Sequence, residues 1–415
     1  MVDSPGAVYR NRDFLSFISG RFLSTVAMQV QSVAIGWQIY DIERTPLSLG
    51  LVGLCQFAPM FLLTLPAGEI SDRFDQRRVM AAAQAVQGLC SGLFLLISLT
   101  ASRNALLFYA VLVLFGAARG FSGPAGSSLI AFLVPPERLP RAIALSSSAF
   151  TTAVIAGPAL GGFLYVFGPI PTYSVCLAGF LVSAVLMAAL GGRRVDRSAV
   201  HQTSRLERVV EGVRYVRERP VILGAISLDL FAVLLGGAVA LLPIFARDIL
   251  HVGPVGLGAL RSAPAAGAAL MAFSLARWPI ERRVGGRMFV AVAVFGIATI
   301  VFGISRNFYV SLAALFMTGA SDMISVFIRS ALIQYATPDA MRGRVSAMSM
   351  LFIGASNELG EFESGITAAW FGTIPAVIVG GLGTLAVVGV WMKLFPPLRT
   401  VDRLKEVKAP EPTAA

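Results

Sequence analysis

Several polar side chains stand inside otherwise apolar stretches of this chain, where they could bind a solute or carry a proton. Gln29, Gln31, Arg119, Asp229, Asp322 and Arg329 are the candidates for a polar binding cavity. A second group, Asn357-Glu358-Leu359-Gly360-Glu361-Phe362-Glu363, places three carboxylates within seven residues. Glu358 and Glu361 are three apart and share one face of a helix. Crowding and burial make it hard to keep all three ionised, which brings proton exchange within reach near neutral pH. Asp229, Glu358, Glu361 and Glu363 are therefore the candidate proton carriers. A static network with Arg329 or other buried arginines is the open alternative.

Other chemistries find little support. His201 and His251 are far apart, and Cys55, Cys90 and Cys176 all lie in apolar runs with no CxxC spacing, so neither a metal site nor a disulfide framework is expected. There is no GxxxxGK[ST] phosphate loop and no catalytic Ser/His/Asp or metal constellation. An enzyme is not expected, nor a cofactor; a proton gradient is the expected energy source.

The elements that must position these groups follow from composition. Hydrophobic residues make up 56% of the 415 and charged residues 14%, where a soluble domain has roughly 25% charged. Such a chain cannot cover a water-facing surface. Spanning a bilayer takes about 20 mostly apolar residues per helix. Apolar windows fall at 14–40, 46–70, 78–100, 105–133, 142–167, 172–192, 220–246, 256–277, 287–304, 308–335, 345–370 and 374–397, which predicts twelve transmembrane helices and an all-α membrane protein. The splits after 167 and after 370 rest on the short loops GPIPTY and FGTIP. The polar N-terminus leads into a first span without a compact cleavage pattern, so no removed signal peptide is expected. At 1.5 Å per residue Gln29, Gln31, Arg119, Asp229 and Asp322 fall near mid-depth. A charge there costs roughly 2.5–3.5 kcal/mol on insertion scales, so each must face a partner or a wet cavity. Trp37 and Tyr40 are expected in an outer aromatic belt.

Arginine is unevenly shared between the loops. One side carries Arg10, Arg12, Arg73, Arg77, Arg78, Arg138, Arg141, the arginines of 193–219, Arg277, Arg282, Arg283, Arg287, Arg342 and Arg344, while the other has little beyond Arg44, Arg103, Arg247 and Arg306. That bias predicts both termini in the cytoplasm. The net charge of +11 then faces the anionic inner leaflet and not nucleic acid. Within the linker 193–219, the segment 206–218 spaces Leu206, Val209, Val210, Val213 and Val216 as a helix does. It either lies along the membrane surface or packs on the protein itself.

The chain also repeats. Residues 116–141 align with 319–344 at an offset of 203, matching Gly116 with Gly319, Ala117 with Ala320, Pro135 with Pro338 and Arg141 with Arg344. The same offset pairs Arg119 with Asp322, opposite charges at equivalent positions. Two six-span halves, 1–192 and 220–400, joined by the linker and followed by a tail at 401–415, describe a carrier with parallel repeats.

These features resemble the major facilitator superfamily over nearly the whole sequence. Gly68-Glu69-Ile70-Ser71-Asp72-Arg73-Phe74-Asp75-Gln76-Arg77-Arg78 resembles its GxxxDRxGxRR loop between spans two and three, with Asp75 in place of a turn glycine. The resemblance implies a cytoplasmic gate made by Gly68, Asp72, Arg73, Arg77 and Arg78, with Asp72 reaching the start of helix eleven near Arg344 and Val345. Gly157-Pro158-Ala159-Leu160-Gly161-Gly162 resembles the GPxxGG core of the antiporter signature, with Ala144 and Ala153 where the pattern has Gly. Gly157, Pro158, Gly161 and Gly162 would let helices pack closely or bend. The narrower likeness is to enterobactin-exporter-like and drug-efflux members. The superfamily resemblance implies two pseudo-symmetric six-helix bundles and a cavity lined by helices one, four, seven and ten. The repeat then predicts that Arg119 faces Asp322 across it; the alternative is that each is satisfied inside its own half.

The function expected is proton-coupled efflux of a small amphipathic molecule, a drug, siderophore or metabolite, from a monomer in the bacterial inner membrane. The partners are the substrate, protons and the lipid bilayer. An importer or lipid transporter on the same fold is the first alternative, and a membrane sensor the second.

Overall fold

The computed structural model describes residues 11–191 and 205–407. Residues 193–204 of the predicted linker and 408–415 of the predicted tail lie outside them. The described residues are helical without strands, in the order α1 (Arg12–Glu43), α2 (Pro46–Arg73), α3 (Gln76–Leu99), α4 (Ala105–Leu133), α5 (Leu139–Tyr165), α6 (Pro169–Ala188), α7 (Arg205–Arg217), α8 (Pro220–Leu235), α9 (Leu242–Ile244), α10 (Gly253–Arg277), α11 (Val284–Ile304), α12 (Phe308–Ala336), α13 (Asp339–Phe371), α14 (Thr373–Leu394) and α15 (Pro396–Arg399). Ten segments are long and apolar enough to cross a membrane, the stretch Pro220–Ile249 counting as one. The two remaining long helices are α1 and α13, of 32 and 33 residues. Gln29, Gln31 and Gln38 dilute the first, and three carboxylates the second. Together they complete the expected twelve.

Local chemistry sets the boundaries. Asn11, Asn104 and Asn307 accept hydrogen bonds from the first free N–H groups of α1, α4 and α12. Pro169 and Pro220 open α6 and α8 at a position that needs no N–H donor. Gly168 and Gly372 have φ of +97° and +89°, a backbone that disfavours side chains and so ends α5 and α13.

Span seven departs from the expected continuous helix. α8 stops at Leu235, and Gly236-Gly237 leads into a tight turn of helix at Ala238–Leu241, then α9 and a wider turn at Phe245–Ile249. Irregular backbone at this depth needs partners from the protein. Ser364 donates to the Gly237 carbonyl at 2.6 Å, and Thr384 to the Ala232 carbonyl at 3.0 Å.

The chain forms two compact units. Unit 1 comprises residues 1–44, 54–202 and 252–262; unit 2 comprises 45–53, 203–251 and 263–415. In unit 1, α1, α3 and α6 share a buried polar seam: Ser91 donates to Gln31, Gln84 to Ser24 at 3.4 Å, and Ser183 to the Gly20 carbonyl at 2.6 Å. Gly157 and Gly161 of α5 lie on α1, where a Cβ would meet Gln29 and Val30, and Gly162 lies on the start of α10, where it would meet Pro254 and Gly258. The repeat is visible in matching approaches. A side chain at Gly116 would strike the Gln56 carbonyl of α2, and one at Gly319 the Pro264 carbonyl of α10.

In unit 2, α7 covers the predicted linker helix and answers its two alternatives. Tyr215 donates to the Ala336 carbonyl at 3.0 Å, Glu211 pairs with Arg344, and Val216 is buried with Ile222, Ile333 and Val345. Val210 and Val213 stay exposed. The helix thus packs on the protein through the side that carries Gly212 and Val216. Tyr40, expected in an aromatic belt, is buried; the exposed tryptophans are Trp278 and Trp370.

Gly161→Leu should be destabilising by about 1–3 kcal/mol, as overpacking usually is, because α1 backbone lies at the glycine. Thermal unfolding in detergent measures it, against a Gly286→Ala control at a position that faces open space.

Candidate functional site

The polar centre of unit 2 is built on α12. Asp322 stands midway along this helix, and Ser325 and Arg329 follow on the same face, three or four residues apart. Arg329 forms an ion pair with Asp229 of α8, their side chains 2% and 5% exposed. Ser325 donates to the other Asp229 oxygen at 3.3 Å. Ile328, Leu332 and Leu228 belong to the apolar cluster that surrounds the pair. Two isolated charges here would each be costly; as a pair with an added hydroxyl donor they are tolerable.

Asp322 lies on a cavity of about 250 Å³. The broken span supplies one wall through Gly236–Val239, α13 supplies Asn357 and Glu361, and Phe295 and Phe302 of α11 supply aromatic surface. Its described lining contains two carboxylates and neither Lys nor Arg. A void of about 10 Å³ joins Asp229, Ser325 and Asp322, which is barely one water probe in size. The cavity therefore continues toward the ion pair only through side chains.

Several sequence-derived expectations are rearranged. Of the carboxylates on α13, Glu361 alone lines the cavity among the described residues. Its carboxylate lies against Gly53 at the start of α2. Glu363 accepts a hydrogen bond from Thr367 one turn along its own helix, at 2.6 Å, and Glu358 is half-buried off the cavity. Gln31 is 1% exposed and its Oε1 accepts from Ser91 in the polar seam, so it is not an open cavity residue. Gln29 is half-buried, with its stem against Gly157.

Arg119 and Asp322 fall in different units, and each has a setting of its own. Arg119 donates to Gln56 at 3.3 Å, one helical turn beyond the Gly116 approach. The pairing of Asp229 with Arg329 is a case of the static network with Arg329 that the sequence left open; which carboxylate takes the arginine depends on how α8 packs against α12. Arg21 escaped notice because it follows the polar start of span one. It donates to Ser146 of α5 at 3.3 Å and lies 5.9 Å from the Phe150 ring centre.

The gate loop is also partly described. Gly68 is buried, Arg73 and Arg78 are exposed, and the Asp72 side chain lies outside the described residues. Asp75, which replaces the expected turn glycine, adopts extended backbone (φ −66°, ψ 112°) and caps α3. A turn glycine is not needed because the capping geometry suits Asp. Arg77 grips the same carboxylate, at 3.0 and 2.6 Å, and the Leu190 carbonyl at the end of α6. The Arg77 hydrogen bond holds the Asp75 carboxyl below its usual range, against a smaller opposing effect of burial. Arg344, expected beside Asp72, pairs with Glu211 of α7.

The comparisons with known proteins agree with this architecture. The profile of the transmembrane secretion effector family matches residues 4–414. The chain belongs to this family of the major facilitator superfamily. It is a multi-pass membrane transporter and not an enzyme. An enterobactin exporter of Citrobacter koseri is 24% identical over 404 residues, covering 96% of this chain and 94% of the relative. One from Escherichia coli is 23% identical, covering 90% and 85%. Among solved structures, the nucleoside transporter NupG superposes with a TM-score of 0.71 at 13% identity, covering 92% of this chain and 99% of the other. A bacterial homologue of the lysosomal transporter Spinster gives 0.69 at 15%, covering 94% and 96%. These superpositions establish the twelve-helix fold of the transporter.

Asp229→Asn should destabilise the transporter by roughly 3–5 kcal/mol, since it strands a buried guanidinium, and Asp229→Leu with Arg329→Met should recover most of that loss. Unfolding midpoints of the two variants give the answer. Asp75 stabilises fully above the ordinary carboxylate pKa and loses its contribution as pH falls through its lowered value. Melting curves between pH 7 and pH 3 should therefore fall less steeply for Asp75→Asn than for wild type on the acid side.

Proposed function

We propose that this transporter exports a small amphipathic organic molecule, of drug, siderophore or related metabolite type, in exchange for protons. It works by alternating access, as a monomer in the bacterial inner membrane with both termini in the cytoplasm. The arginine-rich loops support that orientation, and the GPxxGG segment of α5 supports the exporter reading. The relatives named enterobactin exporters point the same way.

What supports the proposal is the different setting of three carboxylates within the membrane spans. Asp229 is paired with Arg329 and accepts a hydrogen bond from Ser325. Asp322 and Glu361 stand on a cavity whose described lining holds no cation. They are the groups that take up and release protons, with Asp322 added to the carriers expected from the sequence. In unit 1, Arg119 and Arg21 offer guanidinium groups to an acidic or phenolate part of the substrate.

Efflux from proteoliposomes across an imposed pH gradient tests this reading. Asp322→Asn and Glu361→Gln should each lower gradient-driven efflux at least ten-fold and leave downhill exchange within about two-fold of wild type. Glu358→Gln should behave as wild type. Wild-type coupling in both cavity variants overturns the assignment.

A further inference from the structure

A second cavity of unit 2 lies apart from the one that holds Asp322 and Glu361. It is a groove of about 790 Å³ along the second half of α12, bounded by the α10–α11 loop and the segment after α15, a size typical of small-molecule sites. On α12 the two cavities use different faces: Leu315, Thr318, Gly319 and Asp322 line the inner one, and Met323, Phe327 and Ala331 form a stripe along the groove. From Met323 to Tyr335 the floor runs about 18 Å, close to the depth of one leaflet of a hydrocarbon core about 30 Å thick.

The mouth of the groove has a different chemistry. Arg282 and Glu281 stand on the side of the α10–α11 loop and Arg403 on the side of the segment after α15. Both arginines are exposed, and Arg403 lies 3.9 Å from the Asp402 carboxylate. The two sides are fastened together. Val284 and Gly285 donate to the carbonyls of Asp402 and Val401 at 3.2 and 3.1 Å, and the Arg283 N–H donates to the Asp402 carboxylate at 2.9 Å. Leu398 is fully buried beneath them. The guanidiniums are thus carried on a preformed frame. Next to the loop, Trp278 is 72% exposed, and Tyr335 at the groove is 47% exposed, as aromatic residues are at the level of lipid headgroups.

We propose that this groove is a phospholipid site. Arg282 and Arg403 hold the phosphate, an acyl chain lies on Met323, Phe327 and Ala331, and Glu281 receives the ammonium of an ethanolamine headgroup. The lipid is a resident of the inner leaflet held by the transporter and not its cargo. Two features favour a lipid over a soluble anion: the floor of leaflet length, apolar except for Ser330 and Gln334, and the exposed tryptophan beside the loop. This site is independent of the proton assignment above.

Native mass spectrometry of the detergent-purified full chain tests it, with titration of phosphatidylglycerol, phosphatidylethanolamine and phosphate-free diacylglycerol. Wild type should retain one phospholipid of either kind and far less diacylglycerol. Arg282→Ala with Arg403→Ala should weaken retention of both phospholipids about ten-fold, and Glu281→Gln should weaken phosphatidylethanolamine alone. Equal retention by wild type and the double variant, or diacylglycerol binding as well as phosphatidylglycerol, overturns the proposal. If the double variant does not fold, competition on wild type decides: dodecyl phosphate should displace bound phosphatidylglycerol where dodecanol does not, and failure to displace it overturns the site. Displacement of the lipid by a transported compound would make the groove part of the cargo path and overturn it equally.

Discussion

A polar group in hydrocarbon must find its partner within the protein, and the pairing of Asp229 with Arg329 is where that constraint acts most strongly. It joins α8 to α12 at a depth where neither charge could stand alone. The pair fixes the rotation of α12, and with it the direction of Asp322, two turns away on the same helix face. It also anchors α8 just before the chain leaves regular helix at Gly236. The break is then possible because Ser364 and Thr384 supply donors to the carbonyls around it. Broken helices beside a cavity are a recurring way of building a binding site in carriers. Here the break, the ion pair and the acidic cavity form one connected arrangement in unit 2.

Much of the fold was legible in the sequence because its determinants are local. The spans follow from apolar length. Their ends follow from Asn caps, N-terminal prolines and the positive-φ glycines at 168 and 372. Helix α7 was legible from the spacing of its valines, although not which side would be buried: the valine stripe competes with Gly212, Tyr215 and Glu211, and the contacts to Arg344 and Ala336 decide in their favour. The break in span seven was hidden because Gly236-Gly237 and Pro243 are also tolerated in continuous membrane helices.

The site was legible as a set of residue types and less so as an arrangement. Polarity inside apolar spans drew attention to Asp229, Asp322 and Arg329, and the carboxylate cluster to Glu361. Polarity could not separate a glutamine that faces a cavity from one that seals two helices, as Gln31 does with Ser91. Both satisfy the same physical demand for a partner. Nor could it show that Asp229 and Arg329 neutralise each other, since that depends on how α8 packs against α12.

The repeat adds a final step. Gly116 and Gly319 make the same backbone approach in the two units, against Gln56 in one and Pro264 in the other. The steric plan is therefore duplicated while the chemistry three residues later is not, since Arg119 corresponds to Asp322. Unit 1 stitches its interior with neutral amides and hydroxyls, at Gln31, Gln84 and Ser183. Unit 2 uses charges. A neutral seam does not change with protonation, whereas a carboxylate beside an ion pair does. On the proposed reading, this asymmetry confines the response to protons to unit 2, leaving the arginines of unit 1 a steady charge to present to substrate.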